Sequence, residues 1–151
     1  MYHSIVKRNL RKVFQLLNDR QYDKIPEVFA QKAHHVFYGD HALSGSRIHP
    51  HSIRQWYERL PRALPDLHFE VKNIVVEGWP WHTKAVAEWR DFGTTCDGIP
   101  FQNQGTHFIT LRWGKVTELR IYCDTAMLEK VLDRNAQCGI EQAKALPITD
   151  N

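Results

Sequence analysis

The sequence has little cysteine and no long apolar run. Three cysteines occur among 151 residues, at Cys96, Cys123 and Cys138, and no two form a Cys-x-x-Cys pair. An odd number of widely spaced cysteines indicates free thiols in a reducing compartment rather than a disulfide framework. No apolar stretch reaches the roughly 18 residues that span a bilayer, and the N-terminus lacks the apolar centre of a signal peptide. We therefore expect a cytoplasmic location and no membrane partner.

The sequence also lacks an excess of charge of one sign. Its 20 Lys and Arg residues against 17 Asp and Glu residues give a formal net charge of +3. The densest basic cluster, Lys7 to Lys12, shares its turns with an apolar helical stripe and has no interleaved aromatic residues, which favours a solvated helix face over a nucleic-acid interface. The composition is that of an ordinary globular protein. It predicts one domain over residues 1–151, with a core at about 6–136 and a tail at 137–151.

Apolar periodicity divides the chain into a mainly helical first half and a strand-rich second half. Helical spacing predicts helices at 4–18, 22–29, 53–60, ending at Pro61, and 126–136. Alternating apolar and polar residues predict strands at 34–38, 67–77, 84–94, 105–113 and 116–124. Short connections between the last four strands indicate antiparallel neighbours. The expected fold class is α+β, with helices gathered on one face of a curved antiparallel sheet.

Alternate residues of a strand share one face, which groups several polar side chains. Trp89 lies on the same face as Asp91, and Tyr122 on the same face as Asp124. If these faces and that of His107 meet, Asp91, His107 and Asp124 point into one cavity. A buried carboxylate in such a cavity has a raised pKa, which suits acid/base chemistry near neutral pH.

Four motifs give the chain a family resemblance. They are G-D-H-A-L-S-G-S-R at 39–47, P-D-L-H-F-E-V at 65–71, H-F-I-T-L-R-W-G-K-V-T-E-L at 107–119 and Y-C-D at 122–124. In this order they resemble the SnoaL-like branch of the nuclear transport factor 2-like (ketosteroid isomerase-like) superfamily, over about residues 6–132. The resemblance implies a cone-shaped α+β barrel around a pocket, commonly dimeric through its sheet.

The resemblance also implies site residues. In SnoaL-like aldol cyclases the working pair is similar to His107 and Asp124, with Asp124 removing a C–H proton and His107 polarising the carbonyl. The related epoxide hydrolases suggest Asp91, although Trp89 stands where they have Arg. Other roles stay open: Asp124 as a helix N-cap, His107 as a core residue, and Asp91 in a salt bridge with Arg90 or Arg112.

Five further side chains are candidates for binding the substrate. Besides Trp89 they are Tyr38 and Asp40 on the early strand, Tyr122, and Arg47, which could meet an anionic group at the cavity mouth or form a loop salt bridge. The early histidines have no carboxylate or Cys at ligand spacing, so we expect no metal, and no cofactor.

Three kinds of function fit this sequence. The first is a cyclase, isomerase or hydratase that acts without a cofactor on a small apolar carbonyl compound. The second is a module that binds such a molecule without turnover, and the third is a homodimeric interaction domain.

Overall fold

Residues 1–150, which the computed structural model describes, form one six-stranded sheet, three α-helices and two 3₁₀ helices. The helices are α1 (Tyr2–Asn18), α2 (Pro50–Ala63), α3 (Thr125–Gln137) and the 3₁₀ helices Tyr22–Val28 and Glu141–Ala143. The strands are β1 (Phe29–Phe37), β2 (Gly45–Arg47), β3 (His68–Trp79), β4 (His82–Thr94), β5 (Pro100–Arg112) and β6 (Lys115–Cys123).

The strands are ordered β2-β1-β6-β5-β4-β3 across the sheet. The last four strands of the chain form an antiparallel meander, as their short connections predict. β1 pairs antiparallel with β2 and parallel with β6. The parallel pair is possible because α2 and the four strands β2 to β5 separate β1 from β6 along the chain. The sheet is curved and does not close on itself, and the predicted α+β class is confirmed.

The helices cover the concave face of the sheet with apolar stripes. α1 buries four residues at helical spacing, Val6, Leu10, Phe14 and Leu17. Asn18 then ties its end to β3, donating from Nδ2 to the carbonyl of Phe69 (2.9 Å) and accepting from the Phe69 N–H (2.7 Å). α2 continues past Pro61, where the sequence pattern predicted its end. A proline in the last turn removes few intrahelical hydrogen bonds, so the helix extends to Ala63.

The loop between β4 and β5 is fixed to α3 by a disulfide bond between Cys96 and Cys138, 42 positions apart. Next to it, the backbone N–H of Cys96 donates to Oδ1 of Asn135 (3.0 Å). The prediction of free thiols is therefore wrong for these two cysteines and right only for Cys123. Spacing along the chain did not reveal that the fold brings the loop against the end of α3. Because disulfides are rare in the cytosol, the cysteines no longer support the predicted cytoplasmic location. No helix within residues 1–150 has both the length and the apolar character needed to cross a membrane.

Removing the disulfide should destabilise the fold. A cross-link that closes a loop of this length restricts the unfolded chain, and the entropy model gives about 4 kcal/mol as an upper value. We expect the C96S/C138S variant to lose roughly 2–4 kcal/mol of unfolding free energy in urea titrations. Reductant should lower the wild-type protein to the same value and leave the variant unchanged. Equal stability of the two proteins without reductant would contradict the cross-link.

Candidate functional site

Two cavities lie between the helices and the concave face of the sheet. The outer cavity, of about 500 Å³, lies between α1, the first 3₁₀ helix and strands β5 and β6. It reaches solvent beside the exposed residues Lys24 and Lys115. The inner cavity, of about 40 Å³, lies deeper against β4, β5, β6 and α2. The two cavities share Leu17, Tyr57 and His107 in their walls, so these three residues form the junction between them.

The inner cavity is apolar except for a small group of polar side chains. Asp91, Asn103, His107, Tyr57 and Cys123 contribute polar atoms to a wall otherwise made of Leu, Ile, Phe and Trp side chains. Its volume holds about three water molecules. A few convergent polar groups in an apolar cavity are typical of a small-molecule site.

Asp91 is a buried carboxylate without a counter-ion. It lies on β4 directly opposite Asn103 of β5, and its side chain is 7% exposed. Oδ1 is buried and has no hydrogen-bond partner among residues 1–150. Burial raises the pKa of Asp91 to about 7, against a smaller opposing effect of the Asn103 N–H. The predicted alternative of a salt bridge with Arg90 or Arg112 does not occur among these residues. Asp91 is therefore partly ionised at neutral pH.

Trp89 fixes the protonation state of His107. The indole Nε1–H donates to Nδ1 of His107 (2.8 Å), and since indole can only donate, the imidazole proton lies on Nε2. His107 is half-buried and lines both cavities, and most of its ring is surrounded by protein. This desolvation lowers the pKa of His107 to about 3. At neutral pH His107 is thus a neutral hydrogen-bond donor at the junction.

Tyr57 is a second donor at the junction, held by a buried chain of hydrogen bonds. Nη1 of Arg47 donates to Nδ1 of His35 (2.5 Å), so His35 carries its proton on Nε2 and donates to the Tyr57 hydroxyl (3.2 Å). Burial lowers the pKa of His35 and raises that of Tyr57, so both are neutral. The Tyr57 hydroxyl accepts from His35 and keeps its own proton for a further partner.

The structure does not place Arg47 over the cavity mouth. Its guanidinium is fully buried and donates to the carbonyls of Ser44 (2.9 Å) and Ile148 (2.8 Å) besides His35. Arg47 lines neither cavity, so the prediction that it meets a substrate is wrong as to position. The predicted loop salt bridge is also absent from residues 1–150, since carbonyl oxygens satisfy the charge.

Asp124 caps α3 instead of facing the cavity. Its carboxylate is exposed and accepts from the backbone N–H of Met127 (3.2 Å), which confirms the N-cap interpretation. The expectation that Asp124 points at His107 is wrong because Ile121 lies opposite His107 in the β5–β6 ladder. The inward face of β6 therefore holds Ile121 and Cys123, and alternation turns Tyr122 and Asp124 outward.

The other predicted binding residues divide between the two faces of the sheet. Trp89 is buried beside the inner cavity, as predicted. Tyr38 and Tyr122 stack on each other at the protein surface, with ring centroids 5.0 Å apart, and Asp40 is exposed in the following loop. These three line neither cavity.

Sequence reasoning missed three residues of the inner site, Tyr57, Asn103 and Cys123. Asn103 could have been found, since it is four positions from His107 on one strand and so shares its face. Its Nδ2 donates to the backbone carbonyl of Asp124 (3.0 Å). Burial, with Asp91 and Asp124 nearby, raises the pKa of Cys123 to about 12, so its thiol is not a nucleophile at neutral pH.

The only side chains within residues 1–150 that come close enough to share a metal ion are Cys96, Asp97 and Cys138. The disulfide occupies both sulfur atoms of this group. None of the histidines between residues 34 and 51 belongs to this group of three side chains.

Comparisons with known proteins agree with this architecture. Residues 10–119 match the family described as the SnoaL-like domain. No curated protein shows significant sequence similarity to the chain. An NTF2-like protein of unknown function from Burkholderia pseudomallei K96243 has a TM-score of 0.72 and 12% identity, over 83% of this chain and 95% of that one. The predicted NTF2-like cone is therefore confirmed.

Two further solved structures are similar. TerC, co-crystallised with polyporic acid, has a TM-score of 0.66 and 18% identity, over 80% of this chain and 92% of that one. A proposed SnoaL-like polyketide cyclase from Jannaschia sp. CCS1 has a TM-score of 0.64 and 18% identity, over 86% and 93%. At such identities the likeness shows the fold alone.

The raised pKa of Asp91 makes a prediction about stability and pH. The folded protein holds this proton more tightly than the unfolded chain, whose Asp titrates near 3.8. Stability from this group is therefore full below about pH 4, falls as the pH rises, and levels off above about pH 7. The total loss is at most roughly 4 kcal/mol. D91N should remove this dependence and be more stable than wild type at pH 8 in urea titrations.

Asp66 provides the matched control. Its carboxylate accepts hydrogen bonds from the N–H and hydroxyl of Thr94, which lower its pKa. D66N should therefore lose stability at neutral pH, where D91N gains it. If D91N instead lost stability at pH 8, Asp91 would be a satisfied structural carboxylate.

Proposed function

Because the chain belongs to the SnoaL-like domain family, we propose that it is a cofactor-independent enzyme that acts on a small apolar carbonyl compound. In this proposal Asp91 is the general base that removes a proton from the carbon next to the carbonyl group. The observation that carries the proposal is the buried, unpaired Oδ1 of Asp91, whose carboxyl group has a pKa of about 7. A general base is most effective when its pKa lies near the working pH.

The outer cavity suits the apolar body of such a ligand. Its volume of about 500 Å³ falls within the range of roughly 300–1,000 Å³ that is usual for small-molecule sites. Leu10, Phe14 and Ile109 line it with apolar surface. The inner cavity is far smaller, so only the reacting carbon and its neighbours enter it, past Leu17 at the junction.

The two donors at the junction suit the carbonyl oxygen. Tyr57 and His107 line both cavities, and the Tyr57 hydroxyl and the His107 ring are both neutral. A neutral donor stabilises a developing oxyanion without giving up its proton. The low pKa of His107 thus favours polarisation of the carbonyl over proton transfer to it.

Proton removal then proceeds as follows. The Asp91 carboxylate takes the proton, the C–H bond breaks, and its electron pair moves toward the carbonyl oxygen to give an enolate. Tyr57 and His107 stabilise the negative charge on that oxygen. In an isomerisation, protonated Asp91 returns the proton to another carbon. In a cyclisation, the enolate carbon attacks a second carbonyl of the same molecule, and Asp91 protonates the resulting alkoxide.

The relatives are consistent with this reaction class. One similar structure is a proposed polyketide cyclase, and another holds polyporic acid, a small organic molecule. Epoxide hydrolysis is disfavoured, because Trp89 occupies the position where that chemistry uses an Arg beside the carboxylate.

Binding without turnover is the second candidate function. It is favoured by one observation: the outer cavity is an order of magnitude larger than the inner cavity and needs no part of Asp91 to hold an apolar ligand. The two candidates differ in whether the C–H bonds of a bound ketone exchange with solvent.

Asp91→Asn should abolish proton removal. We would use 2-tetralone, an apolar ketone with acidic C–H bonds, and follow deuterium incorporation from D₂O by NMR. The wild-type rate should rise with pH and level off above about 7, because only ionised Asp91 accepts a proton. D91N should lower the rate by about 10²-fold or more. D124N is the matched control and should keep the rate, since Asp124 caps α3 outside both cavities.

Two outcomes would decide against this assignment. Unchanged exchange in D91N would remove Asp91 from the reaction. Binding of 2-tetralone to the wild-type protein, without any exchange above the buffer rate, would favour the ligand-binding module.

Tyr57→Phe tests the donor at the junction. Loss of one oxyanion donor should lower the exchange rate by about 10²-fold while the pH at which the rate levels off stays the same, because Asp91 is untouched. Y38F removes a hydroxyl from the outer surface and should have no effect. A Y57F rate equal to wild type would leave His107 as the only donor in the proposal.

A further inference from the structure

Three exposed tryptophans form a continuous surface at one end of the sheet. Trp79 and Trp81 lie at the β3–β4 turn, and Trp113 lies at the β5–β6 turn. Their side chains are 60%, 56% and 73% exposed. Ring centroids are 6.3 Å apart for Trp79 and Trp81, and 6.4 Å apart for Trp81 and Trp113. We call these three residues the tryptophan patch.

The backbone at Trp113, one residue of the patch, adopts a strained conformation. Trp113 has a φ of +50°, a left-handed conformation that a bulky side chain rarely adopts. Its N–H donates to the carbonyl of Pro80 (2.6 Å), which joins the two turns. Core packing does not explain the patch, because all three indoles lie outside the buried cluster. Exposed apolar surface concentrated in this way marks an interaction site.

Basic residues surround the patch. Lys84, Arg112 and Lys115 are exposed on the strands that lead into the two turns, whereas Glu77 is the one acidic residue in segments 77–84 and 112–115. Neither Lys84 nor Arg112 takes part in the ion pairs of residues 1–150. The two segments that carry the indoles therefore contain three basic residues and one acidic residue.

We propose that the tryptophan patch docks onto an anionic lipid surface. Indole rings favour the interface of a bilayer, where their apolar body and N–H group are both accommodated, and nearby Lys and Arg side chains are attracted to acidic headgroups. A second copy of the chain fits less well, because patch-to-patch contact brings like charges together. A sugar ligand fits less well because the patch has one acidic residue and no amide side chain beside the indoles.

Docking in this orientation places the outer cavity at the lipid surface. Gly114 and Lys115, which directly follow Trp113, line that cavity. An apolar molecule dissolved in the bilayer would meet the cavity without crossing bulk water. Sequence analysis predicted no membrane partner because no apolar run is long enough to span a bilayer, but interfacial docking requires no spanning segment. The proposal does not depend on the chemistry of Asp91.

The test is cosedimentation with lipid vesicles. Vesicles would contain phosphatidylcholine alone or equal parts of phosphatidylcholine and phosphatidylglycerol. We expect binding only to the second kind, with a blue shift of tryptophan emission and weaker binding at high salt. W81A/W113A should bind at least about tenfold more weakly. I99A is the matched control, since Ile99 is an exposed apolar loop residue at the other end of β4, and it should bind like wild type.

A charge variant gives a second, independent measurement. K84E/R112E keeps the indoles and should lose the preference for phosphatidylglycerol. Failure of the wild-type protein to bind either vesicle would overturn the proposal, as would equal losses in W81A/W113A and I99A. Loss of self-association in W81A/W113A, with vesicle binding unchanged, would instead assign the patch to contact between copies of the chain.

Discussion

The candidate site depends on one close contact between neighbouring strands. Trp89 of β4 lies opposite Gly105 of β5, and a Cβ atom at Gly105 would lie 2.7 Å from the indole and 2.2 Å from the carbonyl of Tyr122. Only glycine leaves room for the ring to lie across β5. From there the indole reaches His107, two residues further along, and selects its tautomer. Asp91, two residues beyond Trp89, lies on the same face of β4 beside the apolar wall of the inner cavity. Burial there shifts the pKa of both Asp91 and His107.

Two buried ionisable side chains in this protein, Arg47 and Asp91, differ in how their hydrogen-bonding groups are satisfied. Arg47 has two carbonyl oxygens and an imidazole nitrogen as acceptors, so its charge is satisfied without a carboxylate. Oδ1 of Asp91 has no hydrogen-bond partner among residues 1–150. A protein that needed both groups only for stability would gain from pairing them, because an unpaired buried charge is costly. Because the two groups are not paired, Arg47 holds Tyr57 through His35, and burial keeps the pKa of Asp91 raised.

The sequence predicted the fold well and the site in part, for physical reasons that differ by residue. Periodicity identified the long helices and strands, but β2 has three residues, which is too few for a pattern. Alternation placed Trp89 and Asp91 together correctly. It did not say which face of β6 turns inward, although the apolar residues Leu119 and Ile121 lie on that face. Tyr57 looked like one more member of an apolar helical stripe, since its role as a donor depends on His35 and Arg47, which are remote in sequence.

The position of the disulfide bears on how a ligand enters and leaves the outer cavity. It fastens α3 to the β4–β5 loop, where β5 begins, whereas the outer cavity opens near the turn that follows β5. If the opening beside Lys24 and Lys115 is the route for a ligand, a second molecule enters only after the first has left. Under the proposed function, product and substrate would therefore use the same opening. For the proposed enzyme we therefore expect product release to limit the turnover rate, as it does in many enzymes.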